Sequence, residues 1–170
     1  MNFLDLAKNR FSVRKFKTDS ISEDSINKIV EAAIIAPTAC NNQPIKIYIL
    51  ESSETREKIK KCTNCHFDAP LVMLICYDKT QCWTRPFDNK TSGDVDASIV
   101  TTHMMLEAAS LGIGSTWVMY FDPNAIIKEF NLPNNIIPVS LLPMGYMADG
   151  YVPSAEHTTY KSVDDIVIKL

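Results

Sequence analysis

No apolar run in this chain approaches the roughly 20 residues that a membrane-crossing helix needs; APLVMLICY stops after nine. Positive charge is not in excess either. Lys and Arg total 17 against 20 Asp and Glu, a formal net charge of −3, which disfavours general attraction to a nucleic-acid backbone or an anionic membrane. The cysteines do not form an even set, being five, and MNFLDLAKNRFSVRKF contains no long apolar stretch of the signal-peptide kind. A secreted disulfide scaffold is therefore not expected, and a cytoplasmic protein is. No GxGxxG fingerprint is present, so a resident Rossmann dinucleotide site is not expected. What the chain does have is 170 residues with 46% hydrophobic content. That suffices for one compact domain over residues 1–170, burying about 70% of the surface its unfolded form exposes.

Helical and extended patterns alternate without repeats, low-complexity tracts or a linker, which reads as a mixed α+β domain. FLDLAKNR predicts a short helix. SEDSINKIVEAAIIAP predicts a better one, with Ile26, Ile29, Val30, Ala33 and Ile34 on one stripe, Ser22 as N-cap and Pro37 after its end. IKIYILE (45–51) and PLVMLICYD (70–78) read as strands, the second apolar on both faces and therefore central. Residues 94–112 predict the longest helix, from Asp94 as N-cap to Gly112 at C′. STWVMYF follows as a strand, Asp122-Pro123 opens a short helix, and IIPVSLLPMGYM (136–147) is the last core strand. From Ala148 onward the chain is polar and Pro-broken until SVDDIVIKL, an arm that docks on something rather than core.

Three stretches bear on function. In NRFSVRKF (9–16), an extended backbone would put Arg10, Ser12 and Arg14 on one face, two guanidinium forks and a hydroxyl able to converge on a phosphate. From spacing alone a solvated basic face is the simpler account, and the intervening hydroxyl tips the balance only slightly. APTACNNQP (36–44) joins a helix end to a strand through small and amide side chains. It suits close approach to a flat ligand with carboxamide-like edges, although taken alone a polar loop whose Asn41 and Asn42 satisfy their own backbone is the better account. In GIGSTWVMYFD (112–122), capping accounts for the glycines and core packing for Trp117.

Taken together and in this order, these stretches resemble the nitroreductase family of flavin mononucleotide enzymes. The resemblance runs over nearly the whole chain: RxSxRxF, then APTAxNxQP, then a WxR loop at Trp83 and Arg85, then DxDASIVTxHMMLEAxxLGIGSxW from Asp94, then PVSLLPMGY from Pro138. The long central block is the most specific part. It implies a nitroreductase fold, a central, mostly antiparallel sheet flanked by helices. It also implies FMN as cofactor, a homodimer with two flavins at its interface, and a C-terminal arm, about 148–170, exchanged with the partner subunit. Residue by residue, it implies that Arg10, Ser12 and Arg14 bind the flavin phosphate, helped by Lys161 where relatives carry arginines. Pro37, Thr38, Ala39 and Asn41 would approach the partner's isoalloxazine with Gln43 nearby. Trp117 and Val118 would lie beside the ring, and the backbone N–H of Tyr120 near flavin N5, at a position where many relatives have glycine. Asn64 would stand at the pyrimidine edge, with Trp83, Arg85 and Phe87 lining the acceptor pocket.

CTNCH (62–66) matches the c-type haem attachment pattern, but no export route accompanies it. A zinc site would need a second Cys or His pair at ligand spacing, which is missing, so no metal is expected. A redox role for Cys62 and Cys65 lacks the usual strand and helix context. His103, among apolar residues on a helix, reads as a satisfied core histidine, and no Ser-His-carboxylate order supports hydrolysis. The implied activity is ping-pong transfer of hydride from NAD(P)H through flavin N5 to a nitroaromatic, quinone or similar electron-poor acceptor, with the nicotinamide bound transiently. Two alternatives stay open: another reductive reaction on the same scaffold (ene reduction, dehalogenation, flavin fragmentation), or a flavin-binding or redox-sensing protein without turnover.

Overall fold

In the computed structural model, which describes residues 2–170, the architecture is set by one strand. β2 (Leu71–Asp78) has all eight residues buried, as its unbroken apolar run requires of a strand covered on both faces. It pairs antiparallel with β1 (Ile45–Leu50) on one side and β4 (Ile136–Gly145) on the other, and β3 (Gly114–Ser115) closes the order β1-β2-β4-β3. The molecule is α+β, with helices on both faces of this antiparallel sheet.

Alternation along β2 sorts the core into two halves. Leu71, Met73 and Ile75 pack with α2 (Glu23–Ile34) and α4 (Gly93–Ser110), through Ile29, Ala33, Val100, Met104 and Ala108. Val72, Leu74 and Cys76 pack on the opposite face with Ile59 of α3 (Ser53–Lys60) and Ile126 of α5 (Pro123–Glu129). A register shift between Ile75 and Cys76 inserts one extra residue into β4, so that Ser140 pairs with Ile75 and Pro138 with Cys76. The bulge flips the parity of β4. Val139 packs with the α2 and α4 half before it, Leu142 and Met144 after it. At the bulge the Ser140 hydroxyl lies 2.9 Å from the Thr101 hydroxyl of α4, which in turn donates to the Ala97 carbonyl at 2.7 Å, so both buried hydroxyls are satisfied.

The first helix, α1 (Phe3–Asn9), and α2 form where expected, and the Ser22 hydroxyl accepts from the Ser25 N–H as an N-cap should. Gly112 at φ +74° closes α4 as expected. The Ile113 N–H bonds the Ala108 carbonyl at 2.8 Å and the Gly112 N–H bonds Ala109 at 3.1 Å, a Schellman pair.

Three expectations change. The N-cap of α4 is Ser92, not Asp94, because the Asp96 N–H already bonds the Ser92 carbonyl at 2.8 Å; Asp94 falls inside the first turn, where its charge still complements the helix dipole. STWVMYF is not a continuous strand. β3 ends at Ser115 and only Val118 re-engages, exchanging two 2.9 Å bonds with Leu141. The Thr116 N–H reaches the Pro143 carbonyl at 3.2 Å, but Pro143 has no N–H to return. Finally, α3 has no counterpart in the sequence reading. It is held by the Ser52 cap and a Glu54–Lys58 ion pair of 2.7 Å and buries only Ile59, too little apolar signal to give a period.

In α5, the Asp122 carboxylate accepts from the N–H groups of Asn124 and Ala125 at 2.8 and 3.2 Å, with Pro123 opening the helix. Asp122→Ala is expected to cost about 1 kcal/mol, seen in calorimetry as a fall of roughly 2–4 °C in Tm; an unchanged Tm would show the cap to be dispensable. Among the described residues no helix is long and apolar enough to cross a membrane.

Candidate functional site

The stretch from Arg10 to Lys17 is held on both sides. Ser12 bridges Ser115 in parallel fashion, and the Val13 N–H bonds the Ser115 carbonyl at 3.0 Å. Val13 approaches so closely that a Cβ on Gly114 would lie 2.8 Å from its Cγ2, which is why glycine stands there. Further along, the Lys17 N–H bonds the Tyr146 carbonyl at 2.8 Å and the Ala148 N–H bonds Lys15 at 3.1 Å. The Tyr151 hydroxyl accepts from the Arg14 N–H at 3.2 Å and donates to the Ser12 carbonyl at 3.4 Å, while its ring stacks on Phe11 at 6.2 Å. His157 meets the same Phe11 at 5.7 Å. The beginning of the C-terminal segment therefore packs on its own chain, whereas Val163, Ile166, Ile168 and Leu170 beyond it are exposed.

Among the described residues no carboxylate pairs with Arg10 or Arg14. Arg10 lines a ≈130 Å³ cavity together with Phe11, Val13, Gly112, Gly114 and Ser115. Ser12 and Arg14 follow on the same extended stretch and are not part of that lining. A guanidinium without a carboxylate partner is suited to an anion with several oxygens. Lys161 is exposed, and among the described residues no hydrogen bond or ion pair joins it to this group.

The 36–44 loop is a second assembly. Cys40, Asn41 and Gln43 have φ of +52°, +54° and +49°, a left-handed conformation that costs a residue with a Cβ roughly 1–2 kcal/mol, though Asn tolerates it better. The Thr38 hydroxyl accepts from the Gln43 N–H at 3.0 Å, Gln43 Nε2 donates to Asn41 Oδ1 at 2.8 Å, and Asn42 Nδ2 donates to the Gln81 carbonyl at 3.1 Å. One anchor comes from the core. Asp96 Oδ1 accepts from the Ala39 N–H at 2.9 Å while Oδ2 accepts from the Ser92 hydroxyl at 2.7 Å. Thr38 and Gln43 line a ≈170 Å³ cavity with Ala36, Ile45, Ile47 and Val100; Pro37 and Asn41 are exposed beside it.

A third assembly joins residues 62–65 to 117–122. The Thr63 hydroxyl donates to the Tyr120 carbonyl and accepts from the Cys65 N–H at 2.9 Å, and the Asp122 N–H bonds the Cys62 carbonyl at 2.9 Å. Asn64 and Tyr120 thus share one cavity of ≈440 Å³ with Lys61, Thr63 and Met119. Among the described residues no acceptor reaches the Tyr120 N–H, and its side chain is 75% exposed. Val118 is buried and Trp117 partly so. Thr63, which the sequence reading passed over, is the link that fixes this corner.

Trp83, Arg85 and Phe87 stand elsewhere. They belong to a hairpin tied by a Thr84–Thr91 bridge, in which Arg85 is held by Asp88 through bonds of 2.7 and 2.5 Å. Phe87 is 92% exposed at its tip. None of the three lines the cavities holding Arg10, Thr38 or Tyr120. In CTNCH, burial pushes the Cys62 thiol up and it donates to the Lys58 carbonyl at 3.4 Å, while His66 Nδ1 accepts from the Asp68 N–H at 3.0 Å. Both groups have local structural partners. His103 is half-buried on α4, its Nδ1 2.9 Å from the Ile99 carbonyl.

A profile of the nitroreductase family matches residues 7–75 and 66–146. A relative from Methanothermobacter thermautotrophicus, provisionally named NADH dehydrogenase/NAD(P)H nitroreductase, is 30% identical over 158 residues, covering 88% of this chain and 79% of that one. The crystal structure of a nitroreductase family protein from Clostridium difficile 630 superposes with a TM-score of 0.93 at 42% identity, covering 99% of this chain and 98% of that one. A protein from Exiguobacterium sibiricum 255-15, provisionally named a nitroreductase and solved in complex with FMN, shares the fold at a TM-score of 0.85 and 20% identity, covering 100% of this chain and 98% of that one. With two overlapping profile matches spanning most of its length, this chain belongs to the nitroreductase family.

Proposed function

We propose that this chain is an FMN-dependent oxidoreductase that takes electrons from NAD(P)H and reduces electron-poor acceptors such as nitroaromatics or quinones, working as a cytoplasmic homodimer of a single domain. The observation that carries this reading is the pair Arg10 and Arg14, either side of Ser12 in sequence, which among the described residues have no acid to neutralise them. They fit a phosphate, and in that role they fix one end of the cofactor while Ser12 adds a hydroxyl donor. When bound there, FMN would supply the hydride-transfer chemistry between reduced nicotinamide and the acceptor, with Arg10, Ser12 and Arg14 holding its phosphate.

The remaining groups position and polarise. The unpaired Tyr120 N–H is available to an acceptor atom at the reacting edge of the ring, and Asn64, in the same cavity, offers an amide to the pyrimidine edge. Val118 and Trp117 give the ring an apolar flank. Residues 37–43, with Pro37, Asn41 and Gln43 exposed, serve the flavin of the partner subunit. Lys161 and the exposed apolar side chains from Val163 to Leu170 belong to an arm that the second subunit covers. Arg85, neutralised by Asp88, is assigned to shaping the entrance rather than to binding a charged acceptor.

The purified protein is expected to show a flavin absorption spectrum that bleaches on anaerobic addition of NADH or NADPH, the better donor being the one that bleaches it at lower concentration. A flavin that stays oxidised with both, or failure to take up added FMN, would overturn the reading.

A further inference from the structure

The geometry points to Asp96 as a positioning residue that sets the 38–43 loop for the flavin, an inference that rests on the FMN reading above. Its side chain is 2% exposed, and among the described residues no cation pairs with it. A buried carboxylate without a counter-ion is costly unless its oxygens are satisfied. Both are: Oδ2 by the Ser92 hydroxyl at 2.7 Å, Oδ1 by the Ala39 N–H at 2.9 Å, in the first turn of α4 where the helix dipole favours a negative charge.

The direction of these bonds gives the residue its role. Ser92 is the N-cap of α4, and a Cβ on the next residue, Gly93, would fall 2.4 Å from the Tyr77 ring, so this end of the helix is locked against β2. Asp96 carries that rigid position to Ala39, 57 residues away in sequence, at the point where the loop enters its left-handed run. Within residues 38–43 the other side-chain bonds are internal or reach the exposed Gln81 segment. The exit is tied at Pro44, whose carbonyl accepts from the Asp78 N–H of β2 at 2.8 Å, which leaves the entry to Asp96. Strained backbone persists only where its surroundings over-determine it; here β2 holds the exit of the left-handed run and Asp96 of α4 holds its entry.

The test compares Asp96→Ala with Asp96→Asn, whose side-chain oxygen still accepts from the Ala39 N–H. Hydrogen exchange at the Ala39 amide and FMN binding to the apoprotein are measured for each, together with KM and kcat for the better nicotinamide. Asp96→Ala is expected to lose Ala39 protection and to weaken FMN binding roughly tenfold or more, with Asp96→Asn restoring both to near the parent values. If Asp96→Ala does not fold, Asp96→Glu takes its place, since an added methylene displaces the carboxylate while keeping its charge. Retained protection, or lost protection with FMN affinity and KM within twofold of the parent, would overturn the inference. Parent protein that takes up no FMN would instead overturn the function on which it rests, a result independent of the variant comparison.

Discussion

Replacing Arg10 and Arg14 together by alanine is expected to raise the dissociation constant for FMN by about 100-fold or more, since a hydrogen bond to a charged group contributes roughly 1.5–3 kcal/mol and two are lost. The apoprotein should melt as before. Arg14 is exposed, Arg10 only half-buried, and neither is part of an ion pair whose loss would leave a carboxylate unpaired. Replacement by lysine should recover part of the affinity, because the charge is kept while the planar fork is not. Flavin fluorescence during titration of the apoprotein reads all three. Affinity within twofold of the parent in the double alanine variant, with its fold intact, would remove both residues from the phosphate site.

Leu141→Ala should have the largest effect on stability. Leu141 is wholly buried in the half of the core that faces α3 and α5, opposite Leu74 of β2, and its backbone exchanges two 2.9 Å bonds with Val118. Removing its side chain at the centre of the sheet leaves a cavity that surrounding strands are poorly placed to close. The expected loss is about 2–5 kcal/mol, a large fraction of the roughly 5–15 kcal/mol by which a domain is stable. Val118 loses its packing partner, so FMN binding should weaken as well. Leu141→Met, nearly volume-conserving, should cost less than about 1.5 kcal/mol. Denaturant titrations give both numbers; a loss below about 1 kcal/mol for the alanine variant would mean that the site collapses far more readily than a packed sheet does.

The elements that could be read from the sequence are those whose burial repeats. β2 announces itself by eight consecutive residues that all meet core, and α2 by a stripe that includes the buried Ile29 and Ala33. What escaped has non-periodic causes. α3 stands on its cap and ion pairs with one buried side chain. The β4 bulge depends on which residues face each other across strands distant in sequence. The extent of β3 was misread because Pro143, nearly 30 residues onward, withholds the bond that would have extended it. At the site, Arg10, Ser12 and Arg14 stood out by spacing and the 36–44 loop by composition. Asp96, Thr63 and Tyr151 did not, since each acts through a partner that only the folded chain brings near: Ala39 at 57 residues, Tyr120 at 57, Arg14 at 137.

The clasp between the Arg10–Lys17 stretch and the segment after β4 also dictates an order of events during synthesis. Arg10 and Arg14 are made long before they can be seated, because the partners of their stretch, Ser115, Tyr146 and Tyr151, are translated much later. Until those residues are made, the stretch lacks the hydrogen bonds that fix it on either side. A product truncated before Tyr146 would keep the tie to Ser115 and lose the bonds from Tyr146, Ala148 and Tyr151, so one side of its arginine stretch would be left unheld.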